Sequence, residues 1–269
     1  MAIVYAVANA KGGVGKTTTA INFGAALAET GQRVLLIDND PQKANMTLAL
    51  GHMAQDLRCT LSNLLFAALD CPEDLPGYIE RALLHSDALD LIPANKRLSG
   101  VATRLSIEQN SAVGGDSPVF VLRKITEALS GRYDSIIIDC GPKLDMLMTT
   151  ALTAADQVII PVQAHYLAEE GISDILETVR FVRERYHPEL KVAGILLTMY
   201  QSQTNLCRSV QDLVREQYGA DCHIFKEPIA WSVKVAEHPA YGESLLHLNP
   251  KHPAALAYTA MAAEVLTSA

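Results

Sequence analysis

Two lysines, three glycines and two threonines fall within eight positions near the start of the chain, Lys11-Gly12-Gly13-Val14-Gly15-Lys16-Thr17-Thr18. They follow an apolar run and lead into a helical pattern. Glycines let the backbone curl so that successive N–H groups converge on phosphate oxygens, and the helix start reinforces that field. Lys16 is placed to reach the β and γ phosphates of a nucleotide, and the Thr17 hydroxyl to ligate Mg²⁺. The ordinary phosphate loop carries a glycine five positions before Gly15. Here Ala10 stands there, and a second lysine, Lys11, heads the loop.

Carboxylates recur at the ends of two further apolar runs. Leu35-Leu36-Ile37-Asp38-Asn39-Asp40-Pro41-Gln42 ends the first of them. A carboxylate at such an edge, beside a phosphate loop, can hold the waters of Mg²⁺ or orient an attacking water. The same residues also suit a plain turn, since Asp-Pro and Asn are good turn formers. Tyr133-Asp134-Ser135-Ile136-Ile137-Ile138-Asp139-Cys140 is an apolar strand ending in aspartate. Asp139 is placed to hold Mg²⁺ through water, because Mg²⁺ keeps much of its hydration shell. Thr17, Asp38 and Asp139 are thus the candidate metal residues. Cys140 reads as a small buried residue.

The elements that must position these groups alternate along the chain. Strand-length apolar runs occur at Ile3–Asn9, Val34–Asp38, Leu89–Pro93, Ser135–Asp139, Val158–Val162 and Val192–Met199, with a weaker one at His223–Phe225. Most are continuously apolar, as strands buried on both faces are. Helical patterns cover Thr17–Glu29, Val119–Leu129, Ile172–Tyr186, Leu206–Tyr218 and Ala254–Leu266. The alternation predicts an α/β fold: one doubly wound, mostly parallel sheet with helices on both faces. Gln55–Arg104 is the least periodic stretch and is expected to hold short helices. Asn110–Pro118 is turn-rich and reads as an exposed loop. Residues 1–269 are expected to form a single domain.

Composition narrows the classes. Hydrophobic residues at 49% and charged ones at 19% describe a globular chain rather than a disordered one. The five cysteines form no C-x-x-C pair, so neither a zinc site nor a disulfide framework is visible, and a reducing cytoplasm is the expected setting. No stretch approaches the roughly 18 to 20 apolar residues of a membrane span. The net charge of −8 requires any nucleic-acid surface to be a local patch.

Lys11–Thr18 resembles the deviant Walker A motif of the ParA/Soj and MinD group of ATPases, a branch of the P-loop NTPases. The resemblance continues through Asp156–Gln163, Glu170-Gly171 and Gly194–Met199, and weakens after about Asp221. It implies ATP and Mg²⁺ as cofactors and a slow, Mg²⁺-dependent ATPase. It implies that Lys11 crosses a dimer interface to the partner's nucleotide, much as an arginine finger does, making ATP the glue of a homodimer. Asp40 would position the hydrolytic water with Asp38 beside it, and Pro228 would lie near the adenine. Two segments depart from the family pattern. Lys43-Ala44-Asn45 replaces a Gly-Asn, and Gly141-Pro142-Lys143-Leu144 replaces Pro-Pro-Ser-Leu. Gly141 is expected to loosen a segment that senses the γ-phosphate, and Lys143 to add charge near it.

The function so implied is partition of a chromosome, plasmid or mobile element, through nonspecific DNA binding and an adaptor of the ParB type. The protein would then be cytoplasmic and associated with the nucleoid. Arg180, Arg183, Arg185, Lys191, Arg208, Arg215 and Lys234 are the candidate DNA contacts, but Glu177, Glu184, Asp212 and Glu216 are interleaved with them. Such mixed charge also describes a solvated helix face. Where Soj-like chains have a basic Pro-Arg-Asn stretch, this one has Pro228-Ile229-Ala230-Trp231. An alternative keeps the ATP switch without DNA: a positioner of protein cargo, or a regulator, docking around Trp231. A third reading, a ligase similar to dethiobiotin synthetase, needs a small-molecule pocket with dedicated polar residues that the sequence does not display. Ala254–Ala269 contains no Lys or Arg, so a membrane-targeting helix with a basic face is not expected.

Overall fold

Strands covered on both faces need apolar residues at nearly every position, and six segments supply them. The computed structural model describes residues 1–86, 89–111, 117–166 and 168–268. In chain order the elements are β1 (Ile3–Val7), α1 (Lys16–Glu29), β2 (Val34–Asn39), α2 (Asn45–Ala49), α3 (Leu61–Asp70), α4 (Leu75–Ala82), β3 (Asp90–Ile92) and α5 (Leu98–Ser111). They continue as α6 (Val121–Leu129), β4 (Ser135–Cys140), α7 (Met146–Ala154), β5 (Gln157–Gln163), α8 (Ala168–Arg185), β6 (Lys191–Thr198), α9 (Asn205–Tyr218), α10 (Val233–Glu237), α11 (Leu245–Leu248) and α12 (Pro253–Ser268).

The strands form one sheet in the order β3-β2-β4-β1-β5-β6, and every pair is parallel. Alternation along each strand divides the core in two. Val4, Ala6, Leu35, Ile37, Ile136, Ile138, Val158 and Ile160 pack under the helices from α3 to α9. Tyr5, Val7, Leu36, Ile137 and Ile159 face α1, α11 and α12. Gly24 allows α1 its close approach, since a Cβ there would meet a Leu36 methyl at 2.9 Å.

The expected doubly wound sheet is therefore present, wholly parallel among the described residues. The weak strand at His223–Phe225 contributes only an isolated bridge between Ile195 and Ile224. The least periodic stretch does hold short helices. The turn-rich segment expected over 110–118 lies mostly outside the described residues, although α5 runs to Ser111 and a 3-10 turn starts at Pro118. α7 is an addition: its apolar sequence, Met-Leu-Met-Thr-Thr-Ala-Leu-Thr-Ala, carries too little polar contrast to show a helical period.

The strand order decides where chemistry is possible. β2, β4 and β1 are neighbours at the centre, so their carboxyl ends bring Asp38, Asp139 and the loop after β1 to one crevice, where ligands of open α/β sheets bind.

Candidate nucleotide site

The loop between β1 and α1 has the backbone that its glycines allow. Gly13 (φ 75°) and Gly15 (φ 86°) are left-handed, a conformation that strains residues with a Cβ. Gly15 caps α1 without a side-chain hydrogen bond, and the first turn holds no acidic residue. The helix N-terminus is thus left with its partial positive charge and unused donors for an anion. A Cβ at Gly12 or Gly13 would meet nothing within 4 Å, so the cradle is open. Thr198 at the end of β6 fixes the loop by donating its Oγ1 hydrogen to the Val14 carbonyl at 2.9 Å.

Lys16 lies buried under this cradle and donates from Nζ to the Lys11 carbonyl at 2.7 Å. Burial lowers its pKa, and the nearby Asp139, Cys140 and Asp40 oppose that shift. A buried ammonium bonded to one carbonyl has further donors for phosphate oxygens. Thr17, half-buried in the next position, faces Asp139.

Asp38 and Asp139 are both buried, and they differ in what they touch. Asp38 accepts from the Asp40 N–H at 3.1 Å, from the Thr47 N–H at 2.8 Å and from the Thr47 hydroxyl at 2.6 Å. Burial raises its pKa to about 6 even so, with the hydrogen bonds opposing. Asp139 has its pKa raised well above the ordinary carboxylate range by burial and by Asp38; the Thr17 hydroxyl and Lys16 oppose this. Neither Asp139 oxygen has a hydrogen-bond partner of ordinary geometry. A buried carboxylate with both oxygens open, beside a threonine hydroxyl, suits a hard divalent cation and its water shell. Of the two aspartates expected at the metal, only Asp139 has uncommitted oxygens; Asp38 is spent on shaping the Asp38–Thr47 segment.

Asp40 follows on the turn. Its Oδ1 accepts from the Gln42 N–H at 2.9 Å and its Oδ2 from the Asn45 amide at 3.3 Å. Ala44, in the stretch that departs from the family pattern, is left-handed at φ 47°. Gly141 serves close approach: a Cβ there would stand 3.3 Å from both Asp40 Oδ1 and Pro41 Cδ. Lys143 is exposed, and its charge acts on Asp145.

Lys11 lies along α8. Its Nζ pairs with Glu170 at 2.8 Å, and its N–H donates to the Asn9 side chain at 2.9 Å. Gly171 makes room for the stem, since a Cβ there would meet Lys11 Cδ at 3.2 Å. Beside it a groove of about 320 Å³ is lined by Asn9, Lys11, Gln163, His165 and Glu170 among others.

A second feature was not legible in the sequence. An apolar slot of about 100 Å³ adjoins the phosphate loop, walled by Gly15, Thr18, Met199, Ile229, Trp231 and Tyr258. Met199 is left-handed at φ 51°, held by the bonds of its neighbours Tyr200 to Ile229 and Trp231. Pro228 is half-buried and stands one residue before the lining segment. The signal for this slot was weak because its walls come from four separate parts of the chain. The candidate DNA residues Arg180 and Arg185 are exposed on α8, with Arg185 stacked on Phe181 at 5.0 Å. Arg183 instead donates to the Leu190 carbonyl at 2.6 Å.

A phosphate loop joining a buried parallel strand to a helix, faced by a buried aspartate on the neighbouring strand, defines a P-loop nucleotide-binding protein. Comparison with known proteins narrows this. A domain family described as an AAA domain matches residues 2–192. The chromosome partitioning protein ParA of Caulobacter vibrioides is 37% identical, with 98% of this chain and 94% of that protein covered. A crystal structure named cobyrinic acid a,c-diamide synthase from Mycobacterium smegmatis, with bound ADP and magnesium, superposes with a TM-score of 0.80 at 34% identity, covering 99% and 94%. The complex of Cyanothece McdA(D38A) with ATP gives 0.82 at 25% identity, covering 99% and 96%. The chain belongs to the ParA/Soj family of deviant Walker A ATPases.

Proposed function

We propose that this protein is an ATP-switched partition ATPase, acting as one P-loop domain over residues 1–269 and cytoplasmic. The observation that carries the reading is the buried Asp139, with both oxygens open, facing Lys16 and Thr17 under the loop. ATP and Mg²⁺ fit this arrangement. Loop amides and Lys16 bind phosphate, Thr17 and Asp139 hold the metal, and the apolar slot around Met199 and Trp231 receives the base. Asp40, fixed by Gln42 and Asn45, orients the attacking water. When bound, Mg²⁺ supplies charge neutralisation on the phosphates.

Dimerisation through Lys11 would join two weak basic patches into one DNA surface. Each phosphate neutralised adds about −0.9 to the log–log salt slope, so weak patches gain much from pairing. Hydrolysis, timed by a ParB-like adaptor, would then release the DNA. The ParA name and identity support this reading.

A second reading, ATP-switched positioning of protein cargo without DNA, is supported equally by the likeness to McdA. Trp231, 56% exposed, would serve as its contact. The polar groove around Lys11 is where a ligase would hold a metabolite, and rapid turnover with one would favour that chemistry instead.

Light scattering with ATP·Mg²⁺, using Asp40→Ala to suppress hydrolysis, with and without a nonspecific duplex, tests these readings. A monomer that dimerises with ATP and loads onto DNA supports partition. A dimer indifferent to DNA at low salt favours cargo. An ATP-independent mass removes the role given to Lys11.

A further inference from the structure

A groove of about 580 Å³ opens between the loop after α2 and the loop after β3, outside the lining of the nucleotide site. Met53, Ala54 and Leu57 give it an apolar wall; Arg58, Lys96 and Arg97 give it a cationic rim. Met53 is 57% exposed, and all three cations are exposed. None of the three forms an ion pair among the described residues. Four arginines elsewhere are ion-paired: Arg33 with Asp134, Arg104 with Asp70, Arg123 with Glu127 and Arg132 with Glu80. Three cations without an ion pair around one apolar groove make it a local positive patch in a chain of net charge −8.

The far wall is tied to the nucleotide site. The Ala94 N–H donates to Thr47 Oγ1 at 2.9 Å, and that hydroxyl donates to Asp38 at 2.6 Å. Ser99, just after the rim, donates to the Pro41 carbonyl at 3.4 Å.

We propose that this groove docks an acidic amphipathic segment of a partner protein. Its apolar side chains would cover Met53, Ala54 and Leu57 while its carboxylates meet Arg58, Lys96 and Arg97. Nucleic-acid phosphate would satisfy the rim and leave the apolar wall wet, so charge and shape together select a protein segment. The inference does not depend on the partition reading, because the groove uses none of the residues assigned to ATP or DNA.

Fluorescence anisotropy of the full chain tests it, with a labelled helical peptide of Leu, Glu and Ala as probe. The controls are a Ser, Glu and Ala peptide and a labelled DNA duplex. The expected result is saturable, salt-sensitive binding of the leucine peptide. Met53→Asp and the double variant Lys96→Glu/Arg97→Glu should each weaken it by about tenfold. Affinity for a fluorescent ATP analogue should be unchanged, which also shows that the variants fold. No saturable binding, or equal binding by the serine peptide, overturns the proposal. Tighter binding of DNA lost in the same variants makes the groove a nucleic-acid site instead. Self-association lost in those variants makes a second copy its occupant, and also overturns it.

Discussion

Asp38 and Asp139 are paired in register across β2 and β4, and both are shut off from solvent. Two carboxylates so placed resist ionising together, and burial raises both above the ordinary range, Asp38 to about 6. A raised folded pKa means that the native state binds more protons than the unfolded one between the two values. Stability therefore falls as pH rises through that window. For Asp38 alone the span is roughly 3 kcal/mol. Groups of opposite sign include Asp134, held at about 2 by Arg33, which matters only at lower pH, and His187, His238 and His252, whose pKa values burial lowers and which offset part of the fall within the same window. Metal- and nucleotide-free protein should thus melt lower at pH 8 than at pH 5, the two buried carboxylates outweighing the histidines. Asp139→Asn should flatten the profile and raise the melting temperature at pH 8, while abolishing the stabilisation given by ADP·Mg²⁺. Scanning calorimetry across that range checks both halves. A flat profile in the native sequence would contradict it.

Lys11 and Glu170 set the second expectation. The pair closes at 2.8 Å with Glu170 65% exposed, so solvent screens it and its worth is small. A lysine that serves a partner's nucleotide must nevertheless leave this contact. Glu170→Gln should tighten ATP-dependent dimerisation by about two- to fivefold without changing ATP affinity of the monomer. Lys11→Ala should leave ATP binding intact and remove the dimer. Sedimentation velocity over a concentration series reads both.

Gly141 packs against Asp40, and the third prediction follows from that distance. Gly141→Ala places a Cβ at 3.3 Å from Asp40 Oδ1 and Pro41 Cδ, tighter than ordinary contact. Either the turn or the segment after Asp139 must shift by a few tenths of an ångström. If Asp40 positions the attacking water as proposed, displacing its carboxylate by that much should lower ATP hydrolysis by about tenfold or more. Nucleotide affinity, assigned to the loop and Lys16, should hold. Single-turnover hydrolysis beside equilibrium binding separates the two effects.

What the sequence displayed and what it hid divide along physical lines. Strands buried on both faces must be apolar throughout, so β1, β2, β4, β5 and β6 stood out as runs. Lys16, Thr17, Asp38, Asp40 and Asp139 each sit at a strand end or on the first helix turn, where local pattern locates them. The commitment of both Asp38 oxygens to Thr47 and Asp40 could not be read, because it depends on how the turn closes. Nor could the Lys11–Glu170 contact, which requires β1 and β5 to be neighbours. The slot beside the loop was hidden for the same reason: Gly15, Met199, Trp231 and Tyr258 meet only in the folded sheet. Pro228 was the nearest legible marker, one residue from the wall.

That slot gives the last prediction. Trp231 is the only tryptophan of the chain and stands on the rim, 56% exposed. A purine entering beside Met199 and Tyr258 would cover part of its indole, and offset stacking of aromatic faces is worth about 0.5–1.5 kcal/mol. Titration with ATP·Mg²⁺ should therefore shift or quench the tryptophan emission, and Trp231→Ala should weaken ATP by about two- to tenfold. Trp231→Phe, which keeps a ring on the rim, should recover most of that loss. Triphosphate alone, which lacks a base, should bind the loop and leave the emission unchanged. If triphosphate changes the emission as ATP does, the signal comes from closure of the loop and the base lies elsewhere. If neither changes it, Trp231 is left free for the protein contact of the cargo reading.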